Sequence, residues 1–198
     1  MFGSARFAKM RVTGAPTRSI RLVLVGALVG VGAVAIGPAA PAAAALPLEN
    51  CYNNERPQHG DGFFWSAPGN QHTPWAAPAG IQDGDIFRIT ASGSVRIDHW
   101  GTSKNIVGEL PAPGLGSGWP APDSPRYALV AKVTAGLIWS TRTGRLYSAN
   151  EWFPVGADSR CVQFQGWDVG IPQLVFSYND PNLGDNGGGA QVAVKQWW

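Results

Sequence analysis

A glycine-rich loop near the C-terminus holds most of the oxygen-bearing side chains that could do chemistry. Residues 178–189 read Tyr-Asn-Asp-Pro-Asn-Leu-Gly-Asp-Asn-Gly-Gly-Gly, so carboxylates and amides lie among glycines that let the backbone turn. Ca²⁺ takes roughly six to eight oxygen ligands from carboxylates, amides and carbonyls. The loop therefore predicts a calcium site, although Asn, Asp and Gly also favour a plain polar turn. It is not an EF-hand, because Gln191 stands where that motif needs a bidentate Glu.

The first 45 residues have the pattern of an export signal. Five basic residues accompany an apolar run from Leu22 to Ile36, and Ala43-Ala44-Ala45 offers small residues to a signal peptidase. The run is shorter than the ~20 residues that span a bilayer, which argues against the alternative of a membrane anchor. We expect cleavage before Leu46, secretion to the extracellular space or cell envelope, and no membrane span afterwards.

Cleavage would change the net charge of the chain, and export would place its two cysteines in an oxidising compartment. The 13 acidic residues all follow residue 45, and five of the 15 Lys and Arg residues precede it, so ten positive charges would remain, a net charge of −3. This balance argues against a nucleic-acid partner. In an oxidising compartment Cys51 and Cys161 are expected to form a disulfide, with two buried thiols as the alternative.

The pattern of apolar residues predicts an all-β fold. Residues 46–80 are rich in Pro, Gly, Asn and His, which predicts an irregular leader tied by Cys51 with one short strand at most. Residues 81–198 alternate in apolar character and carry many Gly and Pro turns, which predicts a jelly-roll-like β-sandwich of about eight strands, with a barrel as the alternative. Residues 108–125 contain five prolines and four glycines and predict a long loop.

Three blocks of this domain resemble the PA-I-like calcium-dependent galactophilic lectins of bacteria. The resemblance covers about 115 of the 198 residues, and the order and spacing of the blocks carry it. The matching segments are Gly84–Ile89 with Ala91-Ser92-Gly93, then Ala128–Val133, and finally Tyr178-Asn179-Asp180 with Gly184-Asp185-Asn186 and the strand Gly188–Val194. The resemblance implies a small jelly-roll sandwich that binds calcium and sugar.

The resemblance also implies a ligand set for the ion. Side chains of Asp180, Asp185 and Asn186 would bind Ca²⁺, together with a carbonyl of Asn182 or Leu183 and a carbonyl of Ile97 or Asp98. The family has Asn where this chain has Asp185, and the extra carboxylate should tighten binding. The loop after Asp180 is shorter here, and residues 114–118 lack the His and Gln that touch the sugar in the family, so galactose selectivity does not carry over.

Several tryptophans could complete a sugar site. Trp119 in the long loop, Trp100 and the terminal Trp197-Trp198 offer indole faces on which a pyranose ring could stack. We expect Asp180, Asp185 and Trp119 to bind the ligand, because sugar hydroxyls can also ligate Ca²⁺. Core packing is the alternative for any one tryptophan.

Catalysis finds little support in the sequence. The tight His–carboxylate neighbours are His59 with Asp61 and Asp98 with His99, and neither pair has a Ser or Cys nucleophile in a recognisable pattern. The sequence therefore predicts a secreted, non-enzymatic, calcium-dependent carbohydrate-binding protein. The alternative is a secreted β-sandwich module with a structural calcium or no metal, which binds protein or cell-envelope partners. A secreted hydrolase is a weaker third hypothesis.

Overall fold

Two antiparallel β-sheets pack face to face and form the all-β sandwich that the sequence predicts. The computed structural model describes residues 46–60, 64–166 and 170–198, so the predicted signal peptide lies outside the described residues. No helix in the described part of the chain is long and apolar enough to cross a membrane.

Eleven strands, one short α-helix and one 3-10 turn make up the regular structure of the described residues. Their bounds in chain order are α1 (Pro47–Tyr52), β1 (Trp65–Pro68), β2 (Thr73–Trp75), β3 (Ile86–Arg96), β4 (Ser103–Asn105), β5 (Leu129–Val133), β6 (Leu137–Ser140), β7 (Arg145–Ser148), β8 (Phe153–Pro154), β9 (Asp158–Gln165), β10 (Leu174–Tyr178), the 3-10 turn (Leu183–Asp185) and β11 (Gly187–Trp197).

The strand order places the glycine-rich loop between the two sheets. The larger sheet runs β1-β11-β3-β9-β6-β7, with β4 paired to the end of β3, and the smaller sheet runs β2-β10-β5-β8. Strands β3 and β11 pair over their whole length, from Ile86 opposite Trp197 to Arg96 opposite Gly187. Residues 179–186 connect β10 in the smaller sheet to β11 in the larger one.

Alternating residues of both sheets fill the core. Leu174, Phe176 and Tyr178 of β10 are fully buried and meet Phe87 and Ile89 of β3 in one cluster. Each such side chain contributes roughly 1.5–3 kcal/mol to folding through burial of apolar surface. This packing gives the connecting loop two rigid flanking strands.

A second, smaller cluster confirms the predicted disulfide. Cys51 of α1 is bonded to Cys161 of β9, with 6.1 Å between the Cα atoms, and the bridge packs with Ile86 and the fully buried Trp197. The expectation that Trp197 offers a stacking face is therefore wrong, because its ring belongs to this cluster. Trp198 remains half exposed.

Residues 46–80 are more regular than the sequence predicts. Besides α1 they supply β1, which pairs with β11, and β2, which pairs with β10. Strand β3 also runs without a break across Gly93. A Cβ atom at Gly93 would lie 2.7 Å from the carbonyl oxygen of Gly189, so this glycine permits close pairing with β11.

Candidate metal centre

Tyr178 fixes the start of the candidate site, at the end of β10. Its hydroxyl donates to the carbonyl oxygen of Ala67 and accepts from the amide N–H of Ala190, both at 2.7 Å. Burial raises the pKa of Tyr178 to about 12, so the hydroxyl keeps its proton and both bonds at neutral pH. One side chain of the smaller sheet thereby ties together two strands of the larger sheet beside the loop.

Asn179 ties the long loop to the same point. Its Oδ1 accepts from the N–H of Ala121 at 2.9 Å, and its Nδ2 donates to the carbonyl oxygens of Ala121, Ser124 and Pro125 at 2.8, 3.0 and 3.1 Å. The side chain is fully buried. Residues 121–125 are therefore held directly beside Asp180.

Three buried oxygens in the loop lack a hydrogen-bond partner. They are Oδ2 of Asp180, Oδ1 of Asp185 and Oδ1 of Asn186, and they belong to the three side chains that the sequence predicts as metal ligands. Asp180 and Asn186 are only 6% and 5% exposed. Buried polar atoms in proteins nearly always have a partner, so three unpartnered acceptors in one short loop require an explanation.

The remaining polar atoms of these side chains hold the loop in shape. Oδ1 of Asp180 accepts from the backbone N–H of Asn182, and Oδ2 of Asp185 accepts from Nδ2 of Asn182, both at 2.9 Å. Nδ2 of Asn186 donates to the carbonyl oxygen of Gly69 at 3.4 Å. Asn182 thus bridges the two carboxylates, while each of the three candidate side chains keeps one oxygen unpaired.

The predicted carbonyl ligands lie at the edges of this arrangement. The carbonyl oxygen of Leu183 accepts from the N–H of Asn186 at 3.2 Å, which closes the 3-10 turn. Arg96 pairs with Gly187 at one end of the β3–β11 ladder. Ile97 directly follows Arg96 and Asn186 directly precedes Gly187, so Ile97 and Asn186 lie at the same end of the ladder. Metal binding by Asn182, Leu183, Ile97 or Asp98 through carbonyls stays a prediction.

The side chain of Asp98 forms a hydrogen bond within its own turn. Its Oδ1 accepts from the N–H of Thr102 at 2.9 Å, and hydrogen bonds from Thr102 lower the pKa of Asp98. The carboxylate therefore stabilises its own turn, residues 97–102. The prediction concerned the carbonyl of Asp98, which this contact leaves open.

The chemistry of these donors fits Ca²⁺. Carboxylate, amide and carbonyl oxygens are hard ligands, and the set contains neither imidazole nor thiolate, which zinc prefers. Within residues 46–60, 64–166 and 170–198, no group of three or more His, Cys, Asp or Glu residues could hold a metal. The loop offers two carboxylates, from Asp180 and Asp185, so calcium binding here needs the amide of Asn186 and backbone carbonyls.

Two of the predicted tryptophans lie on segments that meet the ends of the loop. Trp119 meets Tyr127 edge to face with 5.3 Å between ring centroids, and the N–H of Tyr127 donates to the carbonyl oxygen of Asn179 at 2.7 Å. Trp100 lies on the 97–102 turn and is 83% exposed. Trp119 is therefore partly packed near the start of the loop, and Trp100 is open to solvent on the turn that follows β3.

Of the two pairs considered for catalysis, only Asp98 with His99 lies wholly within the described residues. Asp61 lies outside them, and His99 stacks on Trp100 with 4.1 Å between ring centroids. A Ser–His contact that the sequence does not reveal joins Nδ1 of His72 to Oγ of Ser177 at 2.9 Å. The sequence separation of 105 leaves no local signal, and Ser177 is only 1% exposed.

Comparison with known proteins adds little to this geometry. No protein-family profile and no curated protein matches the chain. Among solved structures, the chain is similar to one titled as the N-terminal domain of EclA, a PllA-like lectin, with a TM-score of 0.37 and 20% sequence identity. The match covers 68% of this chain and 95% of that one. A similarity this low carries no argument about function, and the fold assignment follows from the two sheets themselves.

Proposed function

We propose that this protein is a secreted, non-enzymatic carbohydrate-binding protein whose sugar site depends on Ca²⁺. The observation that carries the proposal is the set of three unpartnered buried oxygens on Asp180, Asp185 and Asn186. A divalent cation bound among them would give each atom the partner it lacks and would offset the repulsion between the two carboxylates.

Sugar binding would use both the ion and its surroundings. Asp185 is half buried, and Asn182 and Gly184 beside it are exposed, so a ligand can approach this part of the loop from solvent. Vicinal hydroxyl groups are oxygen ligands of the kind Ca²⁺ takes, which lets a sugar complete the coordination. Trp119, which packs against Tyr127, and the exposed Trp100 would supply indole surface for the apolar face of a pyranose ring.

A glycan array read with Ca²⁺ and with EGTA tests the proposal. We expect binding to a subset of glycans that disappears in EGTA and returns when Ca²⁺ is restored. Asp180→Asn and Asp185→Asn should each weaken the signal, because each removes one charge from the ion site. Glu55→Gln, which removes an exposed acid elsewhere in the chain, is the matched control and should bind like the wild type.

Melting temperatures separate this function from a purely structural ion. If Ca²⁺ raises the melting temperature and a bound sugar raises it further, the proposed function holds. If Ca²⁺ stabilises the protein but no glycan on the array binds, the ion is structural and the carbohydrate proposal is refuted.

A further inference from the structure

A small pocket lies at the opposite end of strand β11 from the glycine-rich loop of residues 179–186. Ala79, Gln82, Asp85, Gln196 and Trp198 line a cavity of about 190 Å³, which we call the Asp85 pocket. Strand β11 has 11 residues, and at ~3.4 Å per residue its length separates this pocket from Asn186 by roughly 35 Å. The cavity is smaller than the ~300–1,000 Å³ of pockets for drug-sized ligands, so it suits one small group.

Asp85 is a buried carboxylate without a cationic partner. It is 3% exposed, and no salt bridge within the described residues includes it. Its Oδ2 accepts from the backbone N–H of Gln82 and from Nε2 of Gln196, both at 2.8 Å. Burial raises the pKa of Asp85, and the nearby charge of Asp83 adds to the rise. A buried carboxylate that keeps its charge favours a cation beside it.

Gln196 adds an unsatisfied acceptor to the pocket. The side chain is 1% exposed, and its Nε2 donates to Asp85 and to the carbonyl oxygen of Gly80 at 2.9 Å. These two contacts fix the amide orientation, because both partners are acceptors. Oε1 of Gln196 is buried without any partner. The polar part of the pocket is therefore short of hydrogen-bond donors.

Trp198 supplies an apolar wall. Its residue is 51% exposed, and its backbone carbonyl oxygen accepts from Nε2 of Gln58 at 3.0 Å, which holds the end of the strand in place. An indole beside a carboxylate suits a ligand that has both an apolar body and a positive charge, since the ring face attracts cations.

We propose that the Asp85 pocket binds a protonated primary amine on a small body, such as an amino sugar or a lysine side chain. The ammonium would donate to the Asp85 carboxylate, and the body would lie against Trp198. Ammonium has three donors and no acceptor, which matches a pocket whose buried groups need donors. The proposal is independent of the calcium site, because the two sites share no residue.

Binding of charged and neutralised probes to the intact wild-type protein tests the proposal. Glucosamine and Nα-acetyl-lysine methylamide each carry a free amine, and N-acetylglucosamine and Nα,Nε-diacetyl-lysine methylamide are their neutral counterparts. We expect at least one free amine to bind about tenfold or more tightly than its counterpart, the effect of losing a hydrogen bond to a charged group. NMR-monitored titration measures the affinity of each probe, and EGTA should leave these affinities unchanged.

Variants assign the binding to this pocket. Asp85→Asn keeps an acceptor oxygen for Gln82 and Gln196 but removes the charge, and it should weaken amine binding about tenfold. Trp198→Ala should weaken binding as well. Asp83→Asn removes a charge two residues away that does not line the cavity, and it should bind within about twofold of the wild type, a difference well below one hydrogen bond.

Each outcome decides the proposal. Tighter binding of glucosamine identifies an amino sugar as the ligand type, tighter binding of the lysine derivative identifies a peptide side chain, and either result supports an ammonium site. If neither free amine binds more tightly than its acetylated form, or if Asp85→Asn binds like the wild type, the proposal is overturned. The wild-type comparison decides even if a variant fails to fold.

Discussion

Asn179 should be the polar side chain on which the candidate site depends most for its shape. Its Oδ1 accepts one hydrogen bond, and its Nδ2, with two protons, faces three carbonyl oxygens, which amounts to three full hydrogen bonds. At about 1 kcal/mol each, and with the N–H of Ala121 left buried without a partner, Asn179→Ala should cost about 3–4 kcal/mol. This is a large share of the ~5–15 kcal/mol by which domains are stable.

Urea unfolding followed by tryptophan fluorescence measures this loss as a lower midpoint at an unchanged slope. Asn179→Asp keeps the size of the side chain but turns an oxygen toward the three carbonyls, so it should be at least as destabilising at pH 7. Asn53→Ala, at an exposed asparagine, should change stability by less than ~0.5 kcal/mol. If Asn179→Ala lowers the free energy of unfolding by less than ~1 kcal/mol, Asn179 does not hold residues 121–125 in the way argued.

Three further predictions concern stability. Replacing both Cys51 and Cys161 by Ser should cost about 4–5 kcal/mol by the chain-entropy argument, because the bond closes a loop of 110 residues; urea unfolding of the variant measures it. Tyr178→Phe should cost about 1–3 kcal/mol by the same assay, since it leaves two buried backbone groups unpaired. Burial opposes ionisation of Asp158, but hydrogen bonds from Arg88 and a backbone N–H leave its pKa lowered. Its ionised form therefore stabilises the fold above pH ~3.8. The difference in free energy of unfolding between wild type and Asp158→Asn should vanish as pH falls through the folded pKa. A difference that stays the same in acid would contradict this.

The sequence predicts the interior strands well and the edges poorly. Strand β10, Leu174–Tyr178, is readable from the sequence, because a short apolar run bounded by turn residues leaves few other solutions. The sequence predicts one strand at most in residues 46–80, where two form, because β1 and β2 contain Pro68 and Pro74. Both are edge strands, where proline is tolerated because one side of the strand needs no hydrogen bonds.

The candidate site likewise contains residues that the sequence predicts and supporting contacts that it does not. The composition of the loop points to Asp180, Asp185 and Asn186 as candidate ligands, since Ca²⁺ takes oxygen ligands. The supports of the loop act across the chain, because Tyr178 contacts Ala67 over a separation of 111 residues and Asn179 contacts Ala121 over 58. No local pattern encodes such contacts, so they appear only once the sheets are assembled.

The most direct test of the central claim is a calorimetric titration of Ca²⁺ into protein freed of divalent ions. The three unpartnered oxygens predict one site per chain in the wild type, and a strong loss of affinity in Asp180→Asn and Asp185→Asn. If the wild type shows neither heat of binding nor a rise in melting temperature at millimolar Ca²⁺, the loop does not bind calcium and the proposed function fails with it.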